Sequence, residues 1–111
     1  MPDDYYKPEH LARFGDIKAG NADLAKKFFD WYGATFADGA LTKREKCLIA
    51  LAVAHSEQCP YCIDAYTTGC LENGSDLEEM TEAVHVAAAI KGGAALVHGL
   101  QMLEKTEKRG M

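Results

Sequence analysis

Residues 41–74, LTKREKCLIALAVAHSEQCPYCIDAYTTGCLENG, decide the fold. Thr42 and Glu45 stand at capping-box spacing, where hydroxyl and carboxylate each satisfy a free backbone N–H of a helix start. The spacing predicts a helix from Leu41-Thr42 through about Ser56. Its centre is apolar on nearly every side, so it belongs in the middle of a bundle. Cys59-Pro60 then opens a second helix with Pro60 at its first position, where a missing N–H costs little. Asn73-Gly74 ends that helix, which is predicted to run to about Glu72.

The same reading extends outward. On the N-terminal side, Leu24, Phe28, Trp31 and Thr35 recur with helical period, predicting a helix over Asp23 to Phe36. Pro8 opens a shorter one through Phe14. On the C-terminal side, Ser75 and Glu78 have capping-box spacing before a helix expected from Asp76 towards Lys105. Gly92-Gly93 costs that helix stability, roughly 1 kcal/mol per glycine relative to Ala. The pair implies either close helix–helix approach or a kink, and the charged end, EKTEKRGM, is expected to fray. No segment alternates as a strand would. The expectation is an all-α bundle of about five or six helices, one domain over residues 1–111. Its small-residue faces and apolar central helix expose more burial surface than one small bundle needs, which implies a homo-oligomer.

Twelve basic residues against seventeen acidic ones give a net charge of −5. Nucleic-acid binding needs a basic face, so no nucleic-acid partner is expected. MPDDYYKPEH has neither the basic flank nor the apolar core of a signal peptide. The longest unbroken apolar run, Cys47 to Ala54, is too short for a membrane span. A cytoplasmic location and no membrane partner follow as expectations.

In a reducing compartment clustered cysteines are more often catalytic or metal-binding than structural. The four here, at 47, 59, 62 and 70, fall in one short stretch. Cys59 and Cys62 are spaced C-P-Y-C at a helix start. There, unpaired N–H groups and the positive end of the macrodipole favour thiolate, the reactive form. Cys62 is expected to point inward and Cys59 to sit at the cap, nearer solvent. A redox-active dithiol is one reading. A structural zinc site is another, but no second C-x-x-C completes it, and His55 and His85 match no common zinc spacing. Plain buried cysteines are the third. No cofactor and no metal are expected.

The stretch from Leu41 to Ile90 resembles the carboxymuconolactone decarboxylase family, and within it the alkyl hydroperoxidase D-like branch that carries C-P-Y-C. The whole chain, from YYKPEHLARFGDI to KGGAALVHGLQM, is most similar to small peroxidase-like proteins associated with arsenosugar biosynthesis. The resemblance implies an all-helical fold and symmetric oligomers, often trimers or hexamers. It also implies that Cys62 attacks a peroxide and Cys59 resolves the sulfenic acid to a disulfide. The branch places a Glu twelve residues before its first cysteine and a His four after its second. Here those positions hold Cys47 and Tyr66, so only the cysteine pair carries over.

Peroxide reduction needs a proton donor and a base, so replacements must be sought. His55 and Glu57 lie just upstream of Cys59 and could reach the sulfurs across the turn. His85 sits in an apolar segment and could aim at Cys62 if the fifth helix packs on the dithiol helix. Tyr66, one turn beyond Cys62, is suited to orienting an oxygen, its phenol being a poor base at neutral pH. Cys47 reads as a plain apolar filler or a third redox thiol, Cys70 as a packing residue, His98 as a packing or subunit contact, and His10 as surface. The expected activity is that of a thiol-dependent peroxidase or disulfide oxidoreductase. It would act on a hydroperoxide or oxidised thiol and be reset by a dithiol reductant. A lactone decarboxylase-type lyase and a metal- or arsenical-binding module are the alternatives.

Overall fold

The computed structural model describes residues 5–110. The sequence readings that involve the first four residues and Met111 lie outside that range. The elements are α1 (Glu9–Ala12), a 3-10 segment (Phe14–Ala19), α2 (Ala22–Phe36), α3 (Lys43–Ser56), α4 (Pro60–Glu72), α5 (Leu77–Val97) and α6 (Gly99–Lys108). Among the described residues every element is helical, as expected from the sequence.

The caps explain the boundaries. At α3, Thr42 Oγ accepts the Glu45 N–H at 3.1 Å and Glu45 Oε1 accepts the Thr42 N–H at 2.8 Å. Thr42→Ala removes one half of this box and is expected to cost about 1 kcal/mol, read as a lower thermal midpoint. The C-terminus of α3 closes as a Schellman motif. Gln58 takes φ 54°, its N–H donates to the His55 carbonyl, and the Cys59 N–H donates to the Ala54 carbonyl. Cys59 thereby ends one helix and caps the next.

The end of α4 repeats the device. Gly74 takes φ 86°, its N–H donates to the Leu71 carbonyl, and the Ser75 N–H donates to the Cys70 carbonyl. Ser75 is used up in that closure and buried. The cap of α5 therefore moves one residue from the expected Ser75–Glu78 box to Asp76 and Glu79, whose mutual hydrogen bonds measure 2.8 and 3.0 Å.

Two other boundaries differ from the sequence reading. The first helix is a single turn followed by the 3-10 segment, not one helix from Pro8 to Phe14. The long last helix passes straight through Gly92-Gly93 and is interrupted at His98; residues of the expected frayed end continue as α6 to Lys108.

The central helix is α3, against which both α4 and α5 pack. Cys47, Leu51, Cys70 and Met80 form the buried cluster, with Leu48 and Tyr66 against it. At Gly69 a Cβ would meet Cys47 Sγ at 3.4 Å, so the glycine lets α4 close on α3. An Arg44–Glu79 ion pair ties the start of α3 to that of α5. Lys91 Nζ donates to the Ser56 carbonyl at the end of α3, at 2.8 Å.

The chain is nevertheless thinly packed. A compact domain of about 100 residues has a radius of gyration near ~13 Å. Here it is 19.3 Å, with extents of 60 × 35 × 35 Å. Val86, Ile90 and Val97 are all exposed along α5. Through the Ala- and Gly-rich composition of α5, the continuous stretch Leu77–Lys108 is long and apolar enough to cross a membrane by those criteria alone.

Candidate active site

The dithiol sits where two local motifs meet. The Schellman turn delivers Cys59 in extended conformation to the N-cap of α4, and Pro60 starts the helix. Cys59 Sγ accepts the N–H of Cys62 at 3.3 Å. Cys62 is the third residue of α4 and half-buried. All four cysteines are free thiols.

Three helices build a cavity of about 530 Å³ over Cys62. Tyr32, Thr35 and Phe36 come from α2, Lys46, Ile49, Ala50, Val53 and Ala54 from α3, and Cys62 and Tyr66 from α4. Leu41 and Glu57 complete the wall. The exposed flanks of Leu41, Ile49 and Val53 leave one side open. The walls are overwhelmingly apolar, with Lys46 and Glu57 the charged groups. Lys46 Nζ is occupied: it donates to the carbonyls of Thr35 at 2.8 Å and Ala37 at 2.6 Å. A cation at a helix C-terminus is favourable, and this one pins the end of α2 to α3. The Phe36 ring stacks on Tyr66 at 5.1 Å and packs on Tyr32 at 5.0 Å.

Burial and helix position oppose one another at the dithiol. From the sequence, Cys62 was expected to gain acidity at the helix start. Instead its thiol is pushed up to about 11, first by burial, then by its hydrogen bond to Cys59 and the charge there. The amide N–H that would stabilise a thiolate is directed at Cys59. A raised value keeps the proton on, so Cys62 stays neutral until strongly alkaline pH. Iodoacetamide labelling of Cys62, followed by peptide mass mapping, is expected to rise only as pH approaches about 11.

Tyr32 is the residue that sequence reasoning missed. Its phenol lines the cavity with Cys62 and is held above its ordinary value by burial, then by charge on Cys62 and on Cys59. Its position on the α2 stripe carried no sign of this, because the contact depends on how α2 crosses α3 and α4.

The structure brings together some of the sequence-chosen residues. Glu57 and Tyr66 line the cavity with Cys62, and Cys59 adjoins Cys62. His55 is turned away, its Nδ1 2.9 Å from the Leu51 carbonyl within its own helix. His85 is exposed and absent from the cavity wall. The expectation that α5 would aim it at Cys62 is not met: the side chain is exposed, and α5 packs on α3. Cys47 and Cys70 are buried together in the core, with the Cys70 thiol pushed up by burial and then by Cys47, against a smaller opposing effect of Arg44. His10 is exposed beside Tyr61, whose hydroxyl accepts the Lys7 N–H at 3.2 Å. Among the described residues no group of three or more His, Cys, Asp or Glu side chains is placed to hold a metal.

A chain of 40% identity over 90% of both lengths is uncharacterized protein 4 in the cox locus of Paracoccus denitrificans. A structural-genomics protein from Methanobacterium thermoautotrophicum superposes with TM-score 0.74 at 30% identity, covering 78% of this chain and 97% of that one. A carboxymuconolactone decarboxylase family protein from Legionella pneumophila gives TM-score 0.68 at 28% identity, covering 91% and 95%. Another family protein, from Thermotoga maritima and named for a suspected part in antioxidative response, gives 0.63 at 27% identity, covering 95% and 96%. Residues 22–105, three-quarters of the sequence, match the family itself. With its helical order, C-P-Y-C helix start and this match, the chain belongs to the carboxymuconolactone decarboxylase family.

Proposed function

We propose that the protein is a thiol-dependent peroxidase in which Cys62 is oxidised and Cys59 resolves it. The observation that carries this reading is Cys62 in the wall of an apolar cavity with Cys59 beside it at the helix cap. The Cys62 thiol gives up its proton as its sulfur attacks the outer oxygen of a hydroperoxide, the O–O bond breaks, and the remaining oxygen takes up a proton and leaves as an alcohol. Cys59 then attacks the sulfenic acid, water departs, and a disulfide forms. Two electrons have passed from the dithiol to the peroxide. A dithiol reductant returns them.

The cavity walls favour an organic hydroperoxide over hydrogen peroxide, because an apolar substituent gains by leaving water. Tyr32 and Tyr66, in the cavity wall with Cys62, would supply hydrogen bonds to the peroxide oxygens. Glu57 is the carboxylate available to move a proton at the cavity edge. His55 and His85 have no part in this scheme. The cytoplasm, whose reducing poise would reset the pair, is the location that suits it.

Assembly belongs to the same reading. The exposed stripe Val86–Ile90–Val97 and the uncrowded Gly92-Gly93 surface present α5 to further copies of the chain, as a trimer or hexamer. Stoichiometric cumene hydroperoxide should remove two free thiols per chain and yield a Cys59–Cys62 disulfide. Unchanged thiols after peroxide treatment would refute the proposal.

A further inference from the structure

The disulfide that closes the oxidative half-cycle can be opened at either sulfur, and the two are not equivalent. In thiol–disulfide exchange the rate depends on which sulfur the attacking thiolate reaches and on how well the other carries the charge with which it leaves. Cys59 occupies the N-cap of α4, where its sulfur accepts the Cys62 N–H. Charge left on Cys59 meets that amide and the positive end of the helix dipole. Charge left on Cys62 would instead form against Tyr32, Phe36, Val53 and Ala54 in the apolar wall. Access points the same way. The cavity leads to Cys62, whereas Cys59 is not part of its lining.

From this geometry we infer that the reducing thiol enters the same cavity as the peroxide, attacks Cys62, and expels Cys59. The incoming thiolate forms a new S–S bond to Cys62 while the Cys59–Cys62 bond breaks, and the electron pair of that bond stays on Cys59. The second thiol of the dithiol reductant then attacks its own sulfur in the mixed disulfide. That step forms the oxidised reductant and releases Cys62, which takes a proton from solvent. Cys62 is thus the substrate-contacting sulfur in both half-reactions, and Cys59 is the internal nucleophile in one and the leaving group in the other. The burial that holds the Cys62 thiol neutral agrees with this division, since it opposes Cys62 as a leaving thiolate. The cavity walls also select the reductant: an apolar thiol is a better fit than a charged one.

The inference rests on the proposed dithiol–disulfide cycle, and the two fail differently. Wild-type protein is oxidised with cumene hydroperoxide, and peptide mapping first establishes whether the Cys59–Cys62 disulfide is present. If it is absent, the proposed cycle fails. If it is present, the oxidised protein is mixed with benzyl mercaptan, a monothiol that cannot complete the second step, and quenched in acid within the first turnover. The expected mixed disulfide is on Cys62, with Cys59 free. Benzyl mercaptan should react roughly tenfold or more faster than mercaptoethanesulfonate at equal thiolate concentration, because its ring is buried in the cavity. A mixed disulfide found on Cys59, or equal rates for the apolar and charged thiols, overturns the inference.

Discussion

Cys62→Ser is expected to abolish peroxide-dependent disulfide formation and to lower peroxide consumption by roughly 10³-fold or more, the scale on which losing a nucleophile acts. Serine in its place keeps the backbone N–H that Cys59 accepts, and Cys62 is only half-buried, so the fold should persist. Cys59→Ser should behave differently. Serine is a good N-cap residue, so α4 keeps its start, but the resolving sulfur is gone. Cys62 should then be oxidised once, to a sulfenic acid trapped by dimedone, and turnover should stop. Thiol counting and peptide mass mapping distinguish the two. Full disulfide formation in Cys62→Ser would remove Cys62 from the scheme. Continued turnover in Cys59→Ser would assign resolution to another thiol.

The second large effect concerns assembly. A single chain with a radius of gyration of 19.3 Å and few fully buried side chains has little core of its own. Each Å² of apolar area that α5 buries against another copy would add roughly 25 cal/mol. Sedimentation is therefore expected to give a mass several times the 12.1 kDa of one chain. Val86→Glu combined with Ile90→Glu should drop it to a single chain with a much lower thermal midpoint. A wild-type protein monomeric at micromolar concentration would overturn the expectation. So would a double variant with unchanged mass. The stretch Leu77–Lys108 is also long and apolar enough to cross a membrane, and a detergent-free preparation that stays monodisperse as an oligomer distinguishes subunit contact from membrane insertion.

Much of the fold was legible because it is local. The Thr42–Glu45 box, Pro60 after Cys59 and the Asn73-Gly74 stop act over three to five residues, the range at which helix hydrogen bonds themselves act. The one-residue shift of the α5 cap shows the limit. Ser75 and Asp76 can both cap, and the choice fell to Asp76 because the preceding Schellman closure had already committed the Ser75 backbone and buried its side chain. At Gly92-Gly93 the sequence left a kink or a close helix approach open, and α5 runs through the pair. Those glycines are permissive, and no contact within the chain acts on them.

The candidate site divides along the same line. By itself the sequence determined an all-helical chain, the family and the placement of Cys59 and Cys62 at the start of α4, because each depends on residue type and short spacing. Tertiary structure alone decided what surrounds the sulfurs. It brought Tyr32 from α2 and pinned that helix through Lys46, kept Glu57 and Tyr66 at the cavity, and left His55 and His85 out of it. It also decided the electrostatics. The helix start favours charge on either cysteine in principle, but packing buries Cys62 and directs its amide at Cys59. Desolvation therefore outweighs the dipole at Cys62. Helix caps are local hydrogen-bond choices, whereas burial is fixed by how helices distant in sequence cross.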